Sequence, residues 1–171
     1  METATHMLHE IRKTIDDFPN YEVTNYGRFF NIRTGREMKL SPTLNGDLTV
    51  GLMKDGHQFR FSAKGIVART FVEGENEIFN TPILLDGDKF NLHVDNIVWR
   101  PRWFAWHYTR QFFDVPSWYF YGPIVDRATL REYRNYVEVA VAHGLLCRNI
   151  MASIYNGQLT FPTHQKFAYI S

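Results

Sequence analysis

Few side chains in this 171-residue chain have the types and spacing for chemistry. Asp86-Gly87-Asp88 sets two carboxylates two positions apart, and Asp95 follows. Carboxylate oxygens suit a hard cation such as magnesium. The same tripeptide is more often just a tight turn, since Gly supplies positive φ and Asp bonds nearby backbone. His93 and His107 lie close by in sequence, and a neutral imidazole can take a proton or ligate a metal. Their ordinary reading is as partly exposed structural histidines. No phosphate-cradling glycine loop, no His-Glu-x-x-His and no nucleophile elbow occurs in the sequence.

A second chemistry belongs to the cations. Arg28, Arg33 and Arg36 cluster in one turn-rich stretch, Arg100 and Arg102 follow a short apolar run, and Arg148 stands beside Asn149. Arg pairs in bidentate fashion with guanine and Asn with adenine, so these are candidate DNA contacts. Asp16, Asp17, Glu73, Glu75 and Glu77 offset them, and the net charge is only +1. Any nucleic-acid binding must therefore come from local patches and not from bulk charge.

These residues need elements to hold them. Tyr21–Thr24 and Arg28–Asn31 flank Asn25-Tyr26-Gly27, which predicts a hairpin with Gly27 at positive φ. Leu48, Val50 and Leu52 alternate, as do Phe59 and Phe61, with Asp55-Gly56 between them, a strong hairpin signal. Residues 64–71 predict a short helix with Val67 and Phe71 one turn apart. Residues 99–121 are dense in rings, and Trp103, Trp106 and Phe113 can share a helical face. The ordinary role for such rings is core, but rings between arginines also suit single strands. Pro116 and Gly122-Pro123 place a domain boundary there.

Beyond it, Thr129-Leu130-Arg131-Glu132 has capping-box spacing and predicts a helix starting near 130. Its buried face would hold Leu130, Tyr133, Val137, Ala140 and Val141, and Gly144 would end it. A second helix is expected over 148–155, with Ile150, Met151 and Ile154 inward and Arg148, Asn149 and Ser153 outward. Asn156-Gly157 would stop it, and residues 165–170 would form a closing strand.

Hydrophobic residues make up 44% of the chain, charged residues 22% and aromatic residues 16%. A single cysteine, Cys147, rules out an internal disulfide and a thiolate-rich zinc site, in keeping with a reducing cytoplasm. No stretch approaches the roughly 20 apolar residues of a membrane span. The start METATHMLHEIRK lacks the apolar run of a signal peptide.

The stretch Phe18-Pro19-Asn20-Tyr21-Glu22-Val23-Thr24-Asn25-Tyr26-Gly27-Arg28, with Thr34-Gly35-Arg36, resembles a nuclease-associated modular motif of the NUMOD class. Such motifs precede HNH nucleases in phage and intron homing endonucleases. Ile66–Phe71 resembles that family's short helix, and Leu85–Asn91 with Asp95–Trp99 resembles the HNH core. Tyr136–Ile150 resembles a small appended helix-turn-helix of another NUMOD class. The resemblance implies an α+β fold: N-terminal β-hairpins leading into an HNH-like ββα unit, over residues 1–115 with the core at about 79–110. A helix-turn-helix domain would follow over 116–171.

It also implies where catalysis would sit. In the family, a histidine activates water, a divalent metal stabilises charge on the scissile phosphate, an asparagine braces the loop, and a helix residue completes the metal site. Leu84 stands at the general-base position, after Ile83, and Ala105 at the last metal position. Lys64 and Gly65 replace a recurrent histidine and arginine. Only the bracing asparagine, Asn96, survives. An isobutyl group accepts no proton and a methyl group binds no cation.

The expectation is a degenerate nuclease of a phage or mobile element that binds DNA and uses no cofactor or membrane. It would act in the host cytoplasm, or in the virion if packaged. One alternative is a virion component or host-protein inhibitor working by protein contacts. Another is a magnesium nuclease with a relocated centre drawing on His93, His107, Asp86 and Asp88.

Overall fold

The computed structural model describes residues 9–113 and 115–170. The opening stretch METATHMLHEIRK, read in the sequence for a leader, lies partly outside the described residues. Contacts divide the chain into two compact units, residues up to 84 together with 88–101, and residues 85–87 together with 102 onward.

The first unit is built from small antiparallel sheets around one helix. Strands β1 (Arg12–Ile15), β2 (Phe18–Thr24) and β3 (Phe29–Asn31) form the first sheet. The turn after β2 is tied down by Asn25, whose Oδ1 accepts from Ile11 N–H at 2.7 Å and whose Nδ2 donates to His9 O at 3.1 Å. Gly27 there has φ of 77°, and an added Cβ would fall 2.3 Å from Leu92 Cβ, so both backbone and packing require glycine. Strands β4 (Ser41–Pro42), β5 (Leu48–Lys54) and β6 (His57–Ser62) form the second sheet. Asp55 and Gly56 both take positive φ between β5 and β6, the geometry of a type I′ hairpin turn.

Helix α1 (Ala63–Phe71) starts where Ser62 Oγ accepts from Gly65 N–H, and it buries Ala63, Ile66, Val67 and Ala68. Strands β7 (Thr81–Leu84) and β8 (Ile97–Arg100) pair antiparallel, Leu84 opposite Ile97. Trp99 on β8 is buried and donates its indole N–H to Val72 O at 2.9 Å. These pieces share one core in which Val23, Phe29, Leu52, Val67 and Ala68 are fully buried.

Helix α2 (Arg102–Arg110) follows β8 directly in the chain, completing the expected order of strand, strand and helix. Its packing lies in the second unit. The Tyr108 hydroxyl sits 2.7 Å from Leu85 O and 3.1 Å from Ala140 O. Gln111 donates to Leu145 O and accepts from Cys147 N–H. The boundary expected at 115/116 thus lies inside this unit, whose division from the first falls at Pro101/Arg102. A three-stranded sheet of β9 (Ile124–Asp126), β10 (Glu132–Tyr133) and β11 (Phe167–Tyr169) has β9 at its centre.

No helix begins near 130. Asp126 accepts from Ala128 N–H and from the Thr129 hydroxyl, which bends the chain so that β10 returns along β9. Leu130 is 75% exposed with φ of 58° and does not face a core. The helix α3 (Tyr136–His143) starts later, capped by Asn135, whose Oδ1 accepts from Glu138 N–H at 3.0 Å while Glu138 Oε2 accepts from Arg134 N–H. Its buried residues are Tyr136, Val139 and Ala140. Gly144 ends it in the left-handed conformation. After Leu145 and Leu146 comes α4 (Cys147–Asn156), at 113° to α3, ended by Gly157. Ser153 is buried, not outward, with its hydroxyl accepting from Phe167 N–H. Among the described residues no single helix is long and apolar enough to cross a membrane.

Candidate nucleic-acid interface

The positions where the resemblance leads one to expect an HNH base and metal ligand are occupied by packing residues. Leu84, on β7, is 8% exposed and belongs to the core of the first unit, and Ile83 is 2% exposed. Ala105, on α2, is 7% exposed. Asn96 keeps its bracing place: its Nδ2 donates to Asn91 O at 2.9 Å, closing the loop between the two strands. Lys64 is paired with Asp47 at 3.5 Å. The residues present at these positions do not fit a hard divalent ion.

The fallback groups are engaged as turns. His93 Nδ1 accepts from Asp95 N–H, and its ring meets Tyr26 edge-on at 4.6 Å. Asp88 accepts from Phe90 N–H, as an Asp in a turn does. Asp86 precedes Gly87, whose φ is 74°. His107 occupies the last turn of α2. Among the described residues, no three of His, Cys, Asp and Glu come together to hold a metal. Cys147 is buried, and burial pushes its thiol up to about 12, which makes it a packing residue and not a nucleophile.

The arginines sort differently from their sequence clusters. Arg28 is held by Glu37 at 2.6 Å and Glu10 at 3.0 Å, and the bonds with Glu37 lead in raising it above its ordinary range. Its charge is already answered, which weakens it as a phosphate contact. Arg100 is 9% exposed and donates to Trp99 O, so it belongs to the interior and not to a surface track. Arg33, Arg36, Arg102 and Arg148 are exposed, and Asn149 is half-buried.

The second unit holds a basic cavity that the sequence clusters did not indicate. His107, Arg110, Gln111, Phe113, Tyr119, Leu146 and Arg148 line a space of about 480 Å³. Among the described residues its lining carries no carboxylate. His107, Arg110 and Gln111 come from the end of α2 at helical spacing, and that spacing was the readable signal. Leu146 and Arg148 come from the start of α4, which has no side-chain cap and no acidic residue in its first turn. A helix start of that kind carries partial positive charge, so cations and backbone act with the same sign there.

A buried polar cluster lies elsewhere in this unit. Asp126 accepts from Gln165 Nε2 at 2.9 Å, and the Tyr133 hydroxyl meets His143 Nε2 at 2.6 Å. Burial works to raise the Asp126 carboxyl, yet the bonds it accepts from Ala128, Thr129 and Gln165 hold it below its usual value. Burial lowers His143, outweighing the attraction of Asp126.

Comparison with known proteins agrees with this architecture. The family described as the NUMOD4 motif matches residues 10–53. An uncharacterised HNH endonuclease of Acanthamoeba polyphaga mimivirus is 32% identical over 87 residues, covering 51% of this chain and 26% of the viral protein. A second from the same virus is 30% identical over 89 residues, covering 51% of this chain and 22% of that protein. The chain therefore spans about a quarter of the length of these curated relatives. Among solved structures, that of the HNH homing endonuclease I-HmuI, described for DNA binding and cleavage, matches with a TM-score of 0.56 at 20% identity. The match covers 94% of this chain and 98% of that one. Residues 10–53 thus carry the NUMOD4 motif, half of the chain is similar to viral HNH endonucleases, and the fold is that of the HNH homing endonuclease I-HmuI.

Proposed function

We propose that this protein binds DNA through the second unit and does not cut it. The observation that carries the reading is the pairing of Leu84 and Ala105, both buried, at the two positions where hydrolysis needs a base and a metal ligand. The Asn96 brace, which closes the loop between the two strands, supports the reading of a scaffold kept without its chemistry. DNA as the partner is supported by the structural relative described for DNA binding and by the basic cavity at the start of α4. The 113° angle between α3 and α4 over a three-residue turn, Gly144 to Leu146, supports reading the pair as a helix-turn-helix. In that arrangement the start of the second helix, here Arg148 and Asn149, reads the major groove. The proposed setting is a phage or mobile element acting inside its host.

A second reading has its own observation. Phe113, Phe120 and Tyr121 are 74%, 61% and 57% exposed, and such rings also serve as docking groups for a virion or host protein.

The test is DNA binding across a salt series, with a cleavage assay in magnesium and in manganese. Wild-type protein should shift duplex DNA at low salt and leave plasmid intact. Arg148→Ala should weaken binding by roughly tenfold or more with the melting midpoint unchanged, because the side chain is exposed. No shift at low salt would give first place to the protein-docking reading. Metal-dependent cleavage lost in His107→Ala would establish a relocated centre instead.

A further inference from the structure

The outer side of α2 carries a row of groups that core packing does not account for. Trp103 and Trp106 are 55% and 57% exposed, a costly display for two indoles on one short helix. Each is nonetheless held from one side. Trp103 stacks on Phe161 with centroids 5.7 Å apart and 27° between planes. The Arg110 guanidinium lies 4.7 Å over the Trp106 ring. A ring anchored on one face has already lost much of its rotamer freedom, so stacking a ligand on the open face costs little more. The same helix sends Arg110 to the lining of the basic cavity, which it shares with Arg148 from α4.

We propose that this face is a platform for an unpaired DNA strand, with bases stacked on Trp103 and Trp106 and a backbone phosphate held between Arg110 and Arg148. It rests on the reading that DNA is the partner. Within a duplex the faces of the bases are covered by one another, so an open indole finds a stacking partner only where the strand is single. An apolar protein surface fits this face poorly, because covering the rings would also strip water from Arg102 and Arg110, both exposed. A nucleic-acid strand brings the anion and the aromatic face together.

The experiment measures fluorescence anisotropy of a labelled oligothymidylate and of a labelled duplex hairpin with the wild-type chain, Trp106→Ala and Trp106→Phe. The exposed ring can be removed without opening a core, and unchanged melting of each variant verifies that. Trp106→Ala should weaken oligothymidylate binding by roughly tenfold, Trp106→Phe should restore most of it, and duplex binding should move less than twofold. Equal losses on both DNAs, or no loss on the single strand, would overturn the platform. Wild-type binding to the duplex alone would also overturn it while leaving the DNA-binding reading standing. Binding to neither would remove both.

Discussion

Placing at position 84 the histidine that the family resemblance would put there should damage the fold before it can help any chemistry. Leu84 is 8% exposed and lies in the core of the first unit, paired across the ribbon with Ile97, which is 2% exposed. Replacing it with histidine forfeits the burial of a leucine, about 1.5–3 kcal/mol. It also places an imidazole N–H among apolar groups, a further cost of about 1–3 kcal/mol when no partner is at hand. Leu84→His should therefore lose about 2.5–6 kcal/mol, a large fraction of the roughly 5–15 kcal/mol that holds a typical domain. Leu84→Met, which conserves volume, should lose less than about 1.5 kcal/mol. Urea unfolding followed by circular dichroism gives the totals. Because two units can unfold separately, amide hydrogen exchange at Ile83, Leu84, Ile97 and Val98 assigns the loss to the ribbon. A Leu84→His variant within about 1 kcal/mol of wild type, with ribbon protection intact, would refute the argument, since the position would then have to be wet.

Two further outcomes follow from the second unit. Asn135→Ala should cost about 1 kcal/mol in urea unfolding, because it leaves the Glu138 N–H without its acceptor, and an unchanged midpoint would return the cap to another residue. His143, lowered by burial, resists protonation in the folded chain while its unfolded counterpart titrates at the ordinary histidine value of 6.5. Its contribution to stability is therefore complete above pH 6.5 and is lost as pH falls through the lower folded value. His143→Gln should flatten that part of the stability profile relative to wild type, and an identical slope in both proteins would contradict it.

What was legible in the sequence was what neighbouring residues decide among themselves. Asp55-Gly56 could only be a tight turn between two alternating runs, and Gly144 and Gly157 could only stop helices. Thr129 and Glu132 have the same spacing as a capping box, but the decisive partner of Thr129 is Asp126, itself fixed by Gln165 thirty-nine residues away. The true cap, Asn135 with Glu138, has the same grammar six residues later. Among the site residues, the replacement of the expected base and metal ligand by Leu84 and Ala105 was readable from identity alone. Whether an arginine faces water was not, because Arg28 is claimed by Glu10 and Glu37, and Arg100 is buried beside the carbonyl of Trp99. The basic cavity needed α2 and α4 brought together, which no local pattern encodes.

The path of the chain bears on how such a protein could be inherited in pieces. The backbone leaves the first unit after Leu84, returns at Asp88 and leaves again after Pro101. A recombination event joining a foreign carboxy-terminal half at Arg102 would import α2 and everything that follows. It would strand the three residues Leu85-Asp86-Gly87, whose partners are Tyr108, through the Leu85 carbonyl, and Phe112, whose ring lies 3.0 Å from where a Cβ on Gly87 would stand. A viable graft would have to carry that short turn along with the distant half, as two separate exchanges in one lineage. The stretch from the ribbon onward should therefore descend as one block.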